Sequence, residues 1–194
     1  MAFYTKSEAR SAAILKKNFR TITTESILDS VNKSAKTTDS FDVFLSHSSK
    51  DADLVLGVMA LLEDQGLKVY VDWHSDPQMS RENVTVETAD LLRTRMKQSK
   101  SLIYMATENS SSSKWMPWEL GYFDAFSNGS IAILPLLDSA NDSFKGQEYL
   151  GIYPIASKQQ IQYQTRAVVL DSKRKWLALK SFGQGSKSWN NPLY

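Results

Sequence analysis

The sequence predicts an α/β chain: a flavodoxin-like, doubly wound sheet of about five parallel strands, preceded by an N-terminal helical arm. Three observations carry this reading. From Phe41 onward, short apolar β-favouring runs alternate with longer stretches whose apolar residues recur at three- and four-residue steps. Strands separated by helices of this length pair in parallel through right-handed crossovers, which leaves helices on both faces of the sheet. The chain has 194 residues, and with a helical arm set aside about 150 remain, near the common size of a single domain.

Taken in order, residues 7–32 place Leu15, Phe19, Ile22, Ile27, Leu28 and Val31 at helical spacing, and the polar stretch Asn32 to Ser40 follows. Residues 1–40 therefore read as a helical arm and linker. The arm's apolar face has to pack on the main domain or on a second copy of the chain, because a short helix is marginal in water by itself. Phe41 to Leu45 is the first strand. Asp51 to Gln65 is a helix with Leu54, Val55, Val58, Leu61 and Leu62 on one stripe, and Gly66 suits the position just past its end. Leu67 to Trp73 is a strand and Val84 to Gln98 a helix. Ser101 to Thr107 is the third strand. A serine run, Ser110 to Ser113, leads into a helix that ends near Asn128 and Gly129. Ile131 to Leu137 is the most apolar strand, and Ala167 to Leu170 is expected to be the fifth. The main domain is placed at residues 41–180, with 181–194 as a C-terminal tail.

Composition excludes several classes. Hydrophobic residues make up 42% and charged residues 23%, ordinary globular usage. With 23 basic against 21 acidic side chains, no nucleic-acid or anionic-membrane partner is indicated. The absence of cysteine rules out disulfides, thiolate metal sites and cysteine nucleophiles. The first twenty residues lack the apolar core of a signal peptide, and no run of about 18 apolar residues occurs. A cytoplasmic location is expected.

In sheets of this kind, sites form at the carboxyl ends of the strands, which singles out three segments. Ser46-His47-Ser48-Ser49-Lys50-Asp51 leaves the first strand and opens a helix; its hydroxyls and backbone donors suit a phosphate or ribose, though Ser49 or Asp51 serving as a helix cap explains the same residues. Val71-Asp72-Trp73-His74 ends the second strand, where an indole can stack on a flat base or pack in the core. His47 and His74, with no cysteine and no clustered carboxylate, do not make a metal site. The third segment, Ser113-Lys114-Trp115-Met116-Pro117-Trp118-Glu119-Leu120, starts a helix with Pro117 in its first turn and projects Trp115 and Glu119 from one face. Glu119 is either a functional carboxylate beside an indole or a helix-start acid that complements the dipole. The run Lys173-Arg174-Lys175 reads as a solvated helix face.

In this order, the segments resemble a TIR (Toll/interleukin-1 receptor) domain of the bacterial NAD+-consuming type. Phe41-Asp42-Val43-Phe44-Leu45-Ser46-His47-Ser48-Ser49-Lys50-Asp51 resembles the family's first strand and following loop, and Leu67 to Asp72 its second strand. Trp115, three residues, then Glu119, after a serine-rich loop, resembles the family's catalytic motif. The likeness is close over residues 41–137 and looser to about 180. Two departures stand out: the loop from Trp73 to Asn83 has no glycine, and the arm before Phe41 lies outside the family core.

The resemblance implies an enzyme, an NAD+ glycohydrolase or ADP-ribosyl cyclase, with Glu119 catalytic and Ser46, His47, Ser48, Lys50, Asp72, Trp73 and Trp115 binding substrate. NAD+ enters as substrate, and neither a cofactor nor a metal is implied. It also implies self-association through TIR contacts and, as in Thoeris-like antiphage defence, a separate effector that responds to the nucleotide product. Two other classes fit the same residues: a non-catalytic TIR adaptor and a nucleoside or nucleotide N-glycosidase.

Overall fold

The computed structural model describes residues 1–18, 22–73, 85–127 and 129–193. Phe19, His74 with the loop to Asn83, Val84 and Asn128 lie outside the described residues. The parallel part of the sheet is built on β2 (Phe41–Ser46), β3 (Val69–Val71), β4 (Ser99–Ala106) and β5 (Ile131–Leu137), with a fifth parallel strand beyond β5. β2 lies between β3 and β4, and β5 follows β4. Because successive side chains on a strand point to opposite faces, each strand feeds two cores. Val43, Leu45, Ile103, Met105, Ala132 and Leu134 pack on one side, while Phe44, Leu102, Tyr104, Ile131 and Ile133 pack on the other.

Helices cover both faces. α1 (Lys6–Lys16), α2 (Thr24–Ser34) and α3 (Ala52–Asp64) contribute Ala9, Ala13, Leu28, Leu56 and Met59 to the first core. α4 (Val86–Lys97) and α5 (Trp115–Ser127) contribute Leu92, Met96, Met116, Leu120 and Phe123 to the second. Of the apolar face expected for the arm, Leu28 is buried on the chain's own main body with Ile27 and Val31 partly covered, whereas Leu15 and Ile22 are exposed and α1 packs instead through Ala9, Ala12 and Ala13. Thr5 opens α1 with a capping box, its hydroxyl accepting from the Glu8 amide while the Glu8 carboxylate accepts from the Thr5 amide. Just before it, β1 (Tyr4–Thr5) pairs in parallel with Leu136 and Leu137 of β5.

The sheet is mixed rather than wholly parallel. The fifth strand beside β5 is β6 (Ile155–Ile161), joined to it in register only at Ile133 and Ile155. The stretch expected as the fifth strand belongs to β7 (Gln164–Leu170), which runs antiparallel to β6. Gln162 and Tyr163 both have positive φ, 51° and 64°, the geometry of a tight hairpin turn. That turn lacks the usual Asn-Gly signal, so the hairpin is not announced in the sequence. β8 (Trp176–Ala178) continues the antiparallel edge. Lys173, Arg174 and Lys175 sit in the turn before it, not on a helix: the Asp171 carboxylate accepts from the amides of Lys173 and Lys175, and Arg174 has φ 60°. In the tail, α6 (Leu179–Gly183) buries Phe182, and Asn190 bridges back to Trp176.

Two contacts of α1 are decisive. At Gly57 of α3, an added Cβ would lie 1.8 Å from the Ala9 carbonyl oxygen, so glycine is what lets the two helices approach. Gly57→Ala should force α1 away and destabilise the fold by about 2 kcal/mol, read as a lower urea midpoint.

The Lys6 ammonium lies 2.8 Å from Glu108 and 3.2 Å from Asp138, just beyond β4 and β5. The hydrogen bond from Lys6 holds the Glu108 carboxyl below its ordinary value of 4.5. A depressed folded value means that this contribution is complete above 4.5 and is lost as pH falls through the lower folded value. Urea titrations should therefore show wild type losing stability more steeply than Lys6→Met in that acid range. The difference will be modest, because the Glu108 side chain is 65% exposed.

Candidate active site

The tip of β2 builds the centre of the site. Alternation along the strand puts Ser46 on the same face as Phe44, the face covered by α5. There the Ser46 hydroxyl donates to Glu119 Oε2 at 2.5 Å, with both residues buried and Glu119 having no exposed surface. Glu119 is the fifth residue of α5, beyond its first turn. A residue that only complements the helix dipole sits in the first turn and faces water; this one is held in the interior.

The loop after β2 is tied at each step. His47 Nδ1 lies 2.9 Å from the Leu45 carbonyl, and its ring stacks on Trp73 at 5.6 Å. Ser48 accepts from the Lys50 amide and opens a short 3₁₀ turn at Ser49–Asp51. Asp51 occupies the N-cap position of α3 yet makes no side-chain cap there. Its carboxylate instead accepts from Thr107 Oγ1 and Asn109 Nδ2, both at 2.6 Å. Asp51 thus clamps the segment that leads from β4 into the serine-rich loop.

At the tip of β3, Asp72 and Trp73 are buried. The Tyr70 hydroxyl donates its one proton to Asn32 Oδ1 at 2.7 Å, with Asp72 Oδ1 at 3.3 Å as the longer alternative acceptor, while Asn32 Nδ2 donates to the Trp73 carbonyl at 2.7 Å. Burial pushes the Tyr70 phenol far above its usual range, so it remains a donor. No group of three or more His, Cys, Asp or Glu residues suited to a metal occurs among the described residues.

Beside these tips lies a cleft of about 800 Å³, within the usual size of small-molecule sites. Ser48, Ser49 and Lys50 form one wall, Ala89 and Arg93 of α4 a second, and Ser112 to Trp115 with Trp118 a third. Of the residues singled out from sequence, Ser48, Lys50 and Trp115 line it. Ser46, His47, Asp72, Trp73 and Glu119 lie buried among the strand tips and are not part of its surface. Trp115 and Trp118, which do line it, flank Glu119 along α5 and meet edge to face at 5.4 Å. Arg93 and Lys114 were not anticipated. Nothing in the pattern of α4 distinguishes Arg93 from a solvated arginine, since only the fold brings that helix face against the loop after β2.

The family model for the TIR domain matches residues 43–170. This chain belongs to the TIR domain family. Among curated relatives, the probable 3′ cyclic ADP-D-ribose synthase ThsB′ of Bacillus cereus (strain MSX-D12) is 48% identical over 138 residues, 71% of each chain. A candidate cyclic ADP-D-ribose synthase, TIR2, from Cytobacillus dafuensis is 36% identical over 83 residues, 42% of this chain and 22% of its own length. The match to the TIR family includes every strand tip described above, whereas α1 and α2 precede it. No helix among the described residues is long and apolar enough to cross a membrane.

Asp51 is 6% exposed and accepts two charge-assisted bonds, so Asp51→Ala should cost about 3 kcal/mol of stability. Amide exchange should speed up selectively over residues 107–113 of the TIR domain. Unchanged exchange there would mean that the clamp does not order the loop.

Proposed function

We propose that this TIR domain cleaves the bond between nicotinamide and ribose in NAD+, with Glu119 as the catalytic carboxylate, and yields a cyclic ADP-ribose signal in antiphage defence of the Thoeris type. The observation that carries the reading is the 48% identity to a probable 3′ cyclic ADP-D-ribose synthase. The site's chemistry agrees with it. Nicotinamide leaves as a neutral molecule, taking the electron pair of the broken C–N bond, so no general acid is required. The barrier lies in forming an oxocarbenium-like ribose. A carboxylate held in place beforehand stabilises that positive charge without reorganising at the moment of reaction.

What supports Glu119 in this role is its burial, its bond to Ser46 and the two indoles beside it that line a cleft. Contact with the sugar runs past Trp115, one helical turn before it. The cation is then captured by water, giving ADP-ribose and a proton, or by a nucleophile of the same molecule, giving a cyclic product. Shielding of the cation from water, for which Trp115 and Trp118 are placed, favours cyclisation. Self-association through TIR contacts and a separate effector that binds the product complete the proposal.

The test is to incubate the protein, at high concentration and with a crowding agent, with NAD+ and to identify the products by mass spectrometry. Wild type should release nicotinamide and form a product isobaric with cyclic ADP-ribose. Glu119→Gln, close in shape and with unchanged circular dichroism, should lower the rate by at least ~100-fold. A fully active Glu119→Gln would remove the catalytic assignment. Cleavage of other nucleosides in place of NAD+ would favour an N-glycosidase, and a wild type inert towards all of them would favour an adaptor.

A further inference from the structure

The walls of the cleft are chemically one-sided. Among its described lining residues are three cations, Lys50, Arg93 and Lys114, and four serines, with no Asp or Glu. The whole chain, by contrast, nearly balances its charges, with 23 basic and 21 acidic side chains. The cations come from three separate elements: the turn after β2, helix α4 and the approach to α5. They converge because of the fold, not because they form a basic run in sequence. Low-dielectric walls lined with charge of one sign focus the field and select anions.

Arg93 is the best prepared of the three. Its guanidinium lies over the rings of Trp118 at 5.5 Å and Tyr122 at 5.9 Å. Nη1 donates to Asp90 at 2.7 Å, and the remaining guanidinium nitrogens have no partner among the described residues. Trp118 and Tyr122 stack on each other at 5.6 Å, with 13° between their planes, so the surface beneath the cation is a rigid platform. An arginine fixed this way loses little conformational freedom on binding, and its planar fork matches two phosphate oxygens at once. Opposite it, Lys50 is held by a 3.3 Å hydrogen bond to Ser112, and the hydroxyls of Ser48, Ser49 and Ser113 supply further donors along the walls.

We infer that the cleft is a diphosphate clamp in which Arg93 is the specificity-determining residue, selecting dinucleotides over phosphate-free ribosides. As applied to NAD+, the inference rests on the function proposed above. It gives the negatively charged middle of the substrate a site of its own, on α4 and the serine-rich loops, separate from the buried carboxylate at the strand tips.

The experiment has two arms. In the first, inorganic pyrophosphate is titrated into wild type, Arg93→Gln, Arg93→Lys and, as a control, Lys173→Gln in the exposed turn outside the cleft. Phosphorus NMR or calorimetry reads binding without requiring turnover. Arg93→Gln should weaken binding about tenfold, Arg93→Lys by less, and Lys173→Gln not at all. In the second arm, kcat/KM is measured for NAD+ and for nicotinamide riboside, which lacks the diphosphate. Arg93→Gln should lower the ratio of the two about tenfold.

Equal pyrophosphate binding by wild type and Arg93→Gln, with NAD+ still cleaved by wild type, would overturn the clamp and leave the enzymatic reading standing. Arg93-dependent pyrophosphate binding in a protein that leaves NAD+ intact would support the clamp and count against the enzyme. An equal loss of kcat/KM on both substrates would overturn Arg93 as a selector of phosphate.

Discussion

A carboxylate without exposed surface is destabilising unless the fold supplies donors for it, and the Ser46–Glu119 hydrogen bond is one of those that do so here. The bond fixes more than one side chain. For Ser46 to reach α5, the end of β2 must present its even-numbered residues to that face, which sets the register of the central strand against β4. For Glu119 to reach Ser46, α5 must start at Trp115, with its second turn over the strand tip. The two indoles and the mouth of the cleft follow from that placement.

The N-terminal extension is built into the same region. Asn32 of α2 accepts from Tyr70 and donates to the Trp73 carbonyl, so it holds the tip of β3. Arg95 of α4, itself buried, donates to the carbonyls of Ala35 and Lys36 and thereby ties the linker beside it. Lys6 does the same for the segments beyond β4 and β5. Residues outside the matched TIR region therefore brace the strand ends on which the candidate site stands.

Much of the core could be read from the sequence because periodicity and burial agree there: β5 begins and ends where its apolar run does, and α3 carries its apolar stripe inward. The edge could not. β6 contains Ser157, Lys158, Gln159 and Gln160, and its hairpin turns on Gln162 and Tyr163, which carry no local signal for positive φ. At the site, the spacing of Trp115 and Glu119 was informative because both lie on one helix. Asp51 was misleading: it occupies a capping position, yet its partners Thr107 and Asn109 are distant in sequence and known only from the fold. Ser46, read as a substrate contact, has its hydroxyl on Glu119 for the same reason.

The pairing of the first residues with the middle of the sheet bears on how the chain assembles during synthesis. Ala2 bridges Lys158, and Tyr4 pairs with Leu136, so this segment is made well over a hundred residues ahead of its partners. Loop closure over such separations comes late and slowly. Until then α1 has only α3, which it meets at Gly57, to lie against, and its start lacks the β5 and β6 strands that anchor it.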